Sequence, residues 1–582
     1  MKKQNKIITL IFSSLIILAL IPCLFPQIQH LAVLFVEKLK HDDIHDSFWM
    51  KQMFAFAACA IFTILVINAV LFTQKGRKIF EHNIASFKKI FALIKDNKKY
   101  LFTIFLLYLF GYITIFRANF WNKAIDDLAR QIEGSRDWMN WYRYISEIGS
   151  IFLHTSKQLI DIAPLTQLIA TFFIALASFF IIHIFNKRFT YFSCIASLPV
   201  GLFPYFLSNL SYRYDSPYMG LAVLVSIIPF LFIEDKTTFI TTSVLCLFFM
   251  CTSYQSASGI YIFMSVLCVF KMWTQDKKPI QEILKTTLIC VLCYGLTLFV
   301  FSKLFIPKPD YEVYADEAIN ISCLIQNAIT YIKNLLAHLS GTPIFYFSML
   351  VFVIFIVHSF INTNINCLFS SFLSILVLVI ALPFTFGSYL ALEKPLYSAR
   401  AFIGIGVFIG CLCVILLDSE SSKSKKILNL SKIATFCLSW CLIAFSFAYG
   451  NAQADQKDYI QFRTTLLLKD LSEVVADTDK DVELLFAGDI GHSRTVKNLI
   501  EVYPVAEELI DIGLTPHRPS EFILQSYNFC ELKAGTNNDF RKADFPVLID
   551  NQYNKIQGEN NRYLITFKNP HFKVIRTRNI EG

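Results

Sequence analysis

Two adjacent aspartates, Asp126 and Asp127, follow an apolar stretch and open a polar segment that is rich in arginine and tryptophan. Arg130 lies one helical turn after Asp126. A carboxylate can remove a proton from a hydroxyl group, an arginine can bind a phosphate, and an aromatic ring offers a flat face for a sugar. The tryptophans that offer such faces are Trp121, Trp138 and Trp141. These residue types indicate chemistry on a sugar and a phosphate, with a merely solvated loop as the alternative.

Arginine suits the role of receiving the charge of a leaving phosphate, because its planar guanidinium group matches the phosphate oxygens and keeps its own charge. Arg400 stands at the mouth of an apolar span, where a snorkelling helix end is the alternative. Arg213 precedes Asp215 by two residues, so an ion pair that fixes the loop is the alternative there. Arg143 follows a Trp–Tyr pair and is otherwise an interfacial anchor. With Arg130, four arginines outside the apolar spans are candidates: Arg400, Arg130, Arg213 and Arg143.

The composition places these residues in a membrane protein. Hydrophobic residues make up 55% of the 582 residues and charged residues only 17%, whereas soluble proteins carry roughly a quarter charged residues. The net charge of +9 could suggest nucleic acid. However, the basic residues cluster in short loops between apolar spans, which is the orientation signal of membrane proteins. We expect a polytopic α-helical membrane protein with no nucleic-acid partner.

A window of membrane length predicts about thirteen spans. They are residues 7–25, 53–72, 101–116, 165–185, 189–207, 217–233, 238–252, 256–272, 286–305, 343–360, 367–386, 401–417 and 427–449. No small-residue cleavage site follows the first span, which is therefore interpreted as uncleaved. The chain divides into an N-terminal hairpin with a basic loop (1–100), a membrane core (101–450) with an external loop (117–163), and a C-terminal domain (451–582).

Basic residues predict the orientation of the spans. A run of lysines and arginines between Lys75 and Lys99, and the pairs that begin at Lys187, Lys277 and Lys425, fall in loops of the same parity. These loops are predicted to be cytoplasmic, together with the N-terminus. The segment that carries Asp126, the loops around the other candidate arginines, and the C-terminal domain then face the opposite side.

The C-terminal domain has a mixed polar composition that suggests a small α+β fold. Its pattern predicts helices at 457–475 and near residue 496, and strands at 482–487 and 562–567. The phrase Ala-Gly-Asp-Ile-Gly-His-Ser-Arg at 487–494 has the glycines of a phosphate loop, but an ordinary turn between a strand and a helix is the favoured interpretation.

Several phrases together resemble the bacterial O-antigen glucosyltransferases of the serotype-converting, phage-conversion type. The phrases are DDLAR (126–130), GSRDW (134–138), WYR (141–143), DIAPLTQL (161–168), FPYFLSNLSYRYDSPYMG (203–220), SARAFIGIG (398–406) and YGNA (449–452). The resemblance covers roughly residues 108–451. It does not extend to residues 1–100 or to the end of the C-terminal domain.

The resemblance implies a GT-C-like architecture and a multi-span enzyme of the bacterial inner membrane. Such an enzyme would transfer glucose from undecaprenyl phosphate glucose to lipid-linked O-antigen repeat units on the periplasmic face. It would depend on a synthase that makes this donor and on a flippase that delivers it. By resemblance the catalytic base is an aspartate of the first large external loop, and Asp127 is named ahead of Asp126.

A transporter or flippase of lipid-linked sugars is the main alternative, followed by a structural or immunity protein and by a ligase of whole glycans. Transporters place ionisable residues within their spans, whereas the charges of this chain lie in loops and at span ends. No metal ligand is assigned, although a divalent cation is possible. The two acidic phrases considered for one are 41–46 and the four carboxylates between Asp310 and Glu317.

Overall fold

The computed structural model describes residues 73–121, 123–304, 321–418, 423–475, 482–516, 518–529, 545–559 and 561–569. The two predicted spans at 7–25 and 53–72, the phrase 41–46 and the carboxylates between residues 310 and 317 lie outside these ranges. All statements below concern the described residues.

Helices dominate the described part of the chain. In chain order they are α1 (Gln74–Asp96), α2 (Lys98–Ala118), α3 (Ala129–Glu133), α4 (Tyr144–His154), α5 (Leu165–Asn186), α6 (Tyr191–Ala196), α7 (Pro199–Leu202), α8 (Pro204–Ser211), α9 (Ser216–Ile227), α10 (Lys236–Cys251), α11 (Ser258–Thr274), α12 (Ile280–Leu304), α13 (Leu324–Leu339), α14 (Pro343–Ile361), α15 (Cys367–Phe384), α16 (Ile403–Ile415), α17 (Lys425–Val474), α18 (Arg494–Val502), α19 (Ala506–Leu509) and α20 (Arg518–Ser526). A π-helical turn covers Ala124–Leu128, and 3-10 turns cover Trp138–Trp141, Ile228–Phe232, Gln255–Ala257, Ile321–Cys323, Gly387–Ala391 and Ala399–Phe402.

In the part of the chain that the structure describes, seven helices are long and apolar enough to cross a membrane, namely α2, α5, α11, α12, α14, α15 and α17. The predicted span 189–207 is a bent pair instead, and counting it as one span gives eight. The predicted spans 217–233, 238–252 and 401–417 correspond to shorter apolar helices. The prediction of a polytopic helical membrane protein is confirmed in this coarse form, and the number thirteen stays a prediction.

The bent pair positions the loop that follows it. Phe203 has extended backbone angles between α7 and α8, and the chain turns by 62° there. Pro204 is the first residue of α8, a position where the missing amide hydrogen costs nothing. After α8 the chain leaves the helix at Tyr212 and passes through Arg213 to Asp215, the residue that precedes α9.

The helix α17 contains 50 residues and runs from the membrane core into the C-terminal region. The predicted boundary between residues 450 and 451 falls inside it, with no break in the helix. Small residues let α17 approach α2 closely: a Cβ atom on Gly450 would lie 2.5 Å from the backbone of Thr114, and Ser446 Oγ donates to the Gly111 carbonyl at 2.7 Å.

The C-terminal region contains a four-stranded sheet in the order β1-β4-β3-β2. The strands are β1 (Glu483–Ala487), β2 (Val547–Asp550), β3 (Asn554–Glu559) and β4 (Arg562–Phe567). β1 pairs with β4 in parallel and the other two pairings are antiparallel. The α+β prediction is confirmed for both helices and both strands that it named. The sheet lies against the end of α17, where buried Arg463 donates to the carbonyls of Tyr553 and Lys568.

Candidate active site

Asp126 and Asp127 occupy the π-helical turn that follows α2. Successive residues of a helical turn point in different directions, so the two carboxylates face different surroundings. Asp127 is fully buried, whereas the Asp126 side chain is 35% exposed. The two adjacent aspartates are therefore not equivalent in structure.

Asp127 binds the loop between α8 and α9. Both of its carboxylate oxygens accept the backbone N–H of Arg213, at 3.1 and 3.2 Å. This contact joins the turn that follows α2 to the loop set up by the bend at Phe203. Its geometry is that of a carboxylate that organises the backbone.

Asp126 forms an ion pair with Arg400. Arg400 Nη1 lies 3.3 Å from Asp126 Oδ2 and donates to the Tyr212 hydroxyl at 3.2 Å. The guanidinium carbon also lies 5.7 Å from the centroid of the Tyr212 ring. The Arg400 carbonyl accepts the hydroxyl of Tyr254 at 3.1 Å, so both ends of this residue are held while its side chain stays 28% exposed.

Arg130 belongs to a buried network centred on Asp215. Arg130 and the indole N–H of Trp138 both donate to the Asp215 carboxylate, and Arg143 lies 3.8 Å from it. The Arg130 guanidinium also stacks 4.5 Å above the centroid of the Trp138 ring. Burial raises the pKa of Asp215, but the charges of Arg130 and Arg143 and the hydrogen bonds more than offset this, so that the pKa lies below its usual value.

Arg213 is held by a third carboxylate. Its guanidinium group forms an ion pair with Asp161 and donates to the Asn119 carbonyl at 3.3 Å. Asn119 ends α2 with a left-handed backbone conformation, and the same carbonyl accepts the Lys457 ammonium group of α17 at 3.1 Å. Arg213 therefore ties together the end of α2, the segment before α5 and the loop after α8.

The four candidate arginines thus differ in how far they are engaged. The side chains of Arg213, Arg130 and Arg143 are 9%, 10% and 15% exposed, and each lies beside a buried or half-buried aspartate. Arg400 has the most exposed side chain of the four, at 28%, and the side chain of its partner Asp126 is 35% exposed, against 22% for Asp161 and 7% for Asp215. Of these arginines, Arg400 is the one best placed to meet a ligand.

The three candidate tryptophans also lie in different surroundings. Trp138 is fully buried, with its ring against Arg130 and edge-on to Tyr218 at 5.3 Å between centroids. Trp121 stacks on Phe120 at 4.6 Å and is half-buried. Trp141 is 39% exposed. The face that is open to a sugar belongs to Trp141.

Two residues that the sequence did not single out complete the surroundings of Arg400. Glu508 in α19 accepts the backbone N–H of Ala399 at 3.1 Å and lies 3.2 Å from Nε2 of His338, the latter in α13. Both are separated from Arg400 by long stretches of chain, and no local pattern marks either of them. Only the fold could reveal them.

Within the described ranges, no group of three or more His, Cys, Asp or Glu residues could hold a metal ion. The glycine-containing phrase 487–494 connects β1 to α18. Its backbone is occupied by α17, because Gln456 accepts the N–H of Ser493 at 2.7 Å and Tyr459 donates to the Ile490 carbonyl at 3.0 Å. It is a connection between a strand and a helix that packs on α17.

Comparison with known proteins indicates the family to which the chain belongs. No solved structure matches the chain. An uncharacterised 55.3 kDa protein in the gtrB 5′ region of Salmonella phage P22 is 27% identical over 459 residues, which cover 74% of this chain and 89% of the phage protein. The family described as glucosyl transferase GtrII matches residues 114–417. This match spans more than half of the chain and includes Asp126, Asp215 and Arg400, and the protein accordingly belongs to the GtrII glucosyl transferase family.

Proposed function

We propose that this glucosyl transferase acts in the bacterial inner membrane and transfers glucose from undecaprenyl phosphate glucose to lipid-linked O-antigen repeat units on the periplasmic face. The observation that carries the proposal is the pair formed by Asp126 and Arg400. A partly exposed carboxylate and a partly exposed guanidinium group lie 3.3 Å apart at the end of a membrane-length helix. The first can accept a proton and the second can bind a phosphate at the membrane surface.

Asp126 is the proposed base. Its carboxylate takes the proton of an acceptor hydroxyl, and the oxygen attacks the anomeric carbon of glucose with inversion. The bond between that carbon and the phosphate oxygen breaks, and the polyprenyl phosphate leaves with the electron pair. The resemblance names Asp127 first as the base, but its buried carboxylate accepts the backbone N–H of Arg213. We therefore assign it the role of fixing the turn.

Arg400 is the proposed ligand of the leaving phosphate. Charge builds on the phosphate as it departs, and a fixed cation that is already in place stabilises this charge without reorganisation. Tyr212 and the contacts of the Arg400 backbone fix this cation. In the free protein Asp126 neutralises the guanidinium group, and the phosphate would take over that role when the donor binds. This exchange would free the carboxylate to act as a base.

The distribution of basic residues supports the orientation. The lysine-rich helix α1 precedes the start of α2, and Asp126 follows the end of α2. Likewise, α5 begins just after Asp161 and ends next to Lys187 and Arg188. By the positive-inside rule, the site and the C-terminal region then face the periplasm. A donor synthase in the cytoplasm and a flippase would be needed to supply the donor there.

The proposal is tested with Asp126→Asn in cells that make the donor, carry the flippase and display the O-antigen. The matched control is Asp137→Asn, an exposed aspartate of the same loop with a left-handed backbone that asparagine tolerates. Loss of the base should lower the rate of glucose addition by roughly 10²- to 10⁴-fold, with equal amounts of protein in the membrane. The control should modify the glycan as the wild type does.

Analysis of the surface polysaccharide for a glucose branch provides the measurement. A branch that persists at the wild-type level in Asp126→Asn would remove Asp126 from the role of base. A polysaccharide without added glucose even in the wild type would overturn the transferase assignment for this donor and acceptor. Transport of the lipid-linked sugar, the alternative considered from the sequence, would then be assayed directly.

A further inference from the structure

Glu508 connects the C-terminal region to the segment that carries Arg400. Its Oε2 atom accepts the N–H of Ala399 at 3.1 Å, across 109 residues of chain. Ala399 is the first residue of the 3-10 turn Ala399–Phe402, and Arg400 is the second. The first amides of a helical turn have no partner within it, so the carboxylate satisfies a donor that the turn leaves open. A negative charge is also favourable at this end of the turn.

The other oxygen of Glu508 is part of a chain of hydrogen bonds. His338 Nε2 lies 3.2 Å from Glu508 Oε1, and its Nδ1 lies 3.1 Å from the hydroxyl of Tyr205. Nε2–H can donate to the carboxylate in the neutral or the charged ring, while Nδ1 accepts from the tyrosine hydroxyl in the neutral ring and donates to it in the charged one. His338 and Tyr205 are both buried. One carboxylate oxygen of Glu508 is therefore bound by His338 of α13, while the other accepts the N–H of Ala399.

The charge state of Glu508 agrees with this geometry. Burial raises the pKa of the carboxyl group, but the hydrogen bond and charge of His338, the N–H of Ala399 and the charge of Lys123 together outweigh burial. The pKa lies below its usual value, and Glu508 is ionised at neutral pH. Both oxygens can thus act as acceptors at the same time.

The C-terminal region also contacts the turn that carries Asp126, the partner of Arg400. Helix α20 packs against the π-helical turn Ala124–Leu128, which carries Asp126. One region of the chain therefore supports Asp126 through α20 and the Arg400 segment through Glu508. The relative position of these two side chains depends on a part of the protein that lies outside the family match at 114–417.

We infer that Glu508 is a positioning residue, which holds the Ala399–Arg400 backbone so that the Arg400 guanidinium group meets the phosphate of the lipid-linked donor. The inference rests on the proposed function in one respect, namely that the ligand of Arg400 is a polyprenyl phosphate. Glu508 acts through Arg400 and does not itself contact the reacting atoms.

The test uses the full-length protein in detergent with undecaprenyl phosphate as the probe, and then with the glucose donor. The variants are Glu508→Ala and Glu508→Gln, each in the wild-type and Arg400→Lys backgrounds. The control is Glu507→Gln, a neighbouring exposed carboxylate that loses the same charge. Binding of the phosphate lipid and the KM and kcat for the donor are measured for each variant.

We expect Glu508→Ala to weaken phosphate binding about tenfold and to raise the donor KM similarly in the wild-type background, but by less than about twofold in Arg400→Lys. Glu508→Gln should lose less, because its amide can accept from Ala399 and donate to His338 in the other tautomer. Glu507→Gln should match the wild type.

Equal losses in both backgrounds, or unchanged binding in Glu508→Ala, would overturn the inference. If Glu508→Ala does not fold, the same comparison is made with Glu508→Gln. A wild type that binds the phosphate lipid in the expected pattern but transfers no glucose would sink the proposed function and leave the positioning role intact.

Discussion

Two clusters between the membrane-length helices combine aspartate, arginine and an aromatic residue and differ in what surrounds them. Around Asp215, an aspartate, two arginines and a tryptophan form a closed network in which the carboxylate and Arg130 are almost completely buried. Around Asp126, an aspartate, an arginine and a tyrosine form an open one, in which both charged groups keep part of their surface. Chemistry on an external substrate needs the second kind. A closed network is suited to holding loops in place.

The largest effect that separates the clusters is expected from Asp215→Asn. The substitution leaves two buried arginines without their carboxylate, and breaking a buried ion pair typically costs about 3–5 kcal/mol. We expect much less folded protein and a lower temperature of thermal unfolding, while each folded molecule keeps most of its activity. A variant that is as stable as the wild type but inactive would place Asp215 in the chemistry and remove the contrast.

The same network should respond to acid. Because the pKa of Asp215 is lowered in the folded protein, its contribution to stability is present above the ordinary aspartate pKa of about 3.9 and is lost as the pH falls through the lowered value. In thermal unfolding measured from pH 7 down to pH 2.5, the gap between the wild type and Asp215→Asn should narrow at the acid end. A gap that stays constant would contradict the assignment.

A smaller effect is expected from Arg400→Lys, and this effect should appear in turnover and not in stability. Lysine keeps the charge but lacks the planar fork that binds two phosphate oxygens. Turnover should fall roughly 10- to 100-fold, less than for the complete loss of a preorganised donor because the charge is kept, with little change in the unfolding temperature. Arg117→Lys offers a control at the end of α2, because Arg117 is exposed and donates to Asn451. Unchanged turnover in Arg400→Lys would contradict the role of Arg400 in binding the phosphate.

The tryptophans give the smallest and most discriminating comparison. Trp138→Phe removes the N–H that Asp215 accepts and should cost about 1–3 kcal/mol of stability, without changing the acceptor KM. Trp141→Ala should leave stability nearly unchanged and raise the acceptor KM a few-fold if its exposed face stacks on a sugar. Binding titrations with an O-antigen oligosaccharide, together with thermal unfolding, separate the two. If Trp138→Phe instead raises the acceptor KM and Trp141→Ala lowers the stability, the two tryptophans have the opposite roles.

The sequence predicted a polytopic helical protein from the length of its apolar stretches and the C-terminal helices and strands from local periodicity. It also brought Asp126, Asp127 and Arg400 together as candidates, through phrases that are far apart in the chain. It could not rank the two aspartates, since adjacent residues share a sequence context and differ only in which way a turn points them. The burial of Trp138 against Arg130 is likewise a tertiary fact.

Glu508 and His338 show a different limit. Their role depends on α19 and α13 meeting beside the Ala399–Phe402 turn, a contact between segments with no shared pattern. The bend at Phe203 does not follow from the sequence prediction, because a window of membrane length measures composition and not the direction of the chain. The sequence identifies the side chains that can do the chemistry, whereas the contacts that position these side chains can be seen only in the fold.

The unbroken helix α17 has a consequence for how the protein sits in lipid. At about 1.5 Å per residue, its 50 residues extend about 75 Å, while the hydrocarbon core is only about 30 Å thick. The helix is joined to the end of α2 through Lys457 and Asn119, so the turn that carries Asp126 has a fixed position along these two helices. Because we propose that Arg400 binds the donor phosphate, a thicker or thinner bilayer would have to deform, or the helices tilt, to keep that phosphate level with Arg400. Turnover should therefore depend on acyl-chain length.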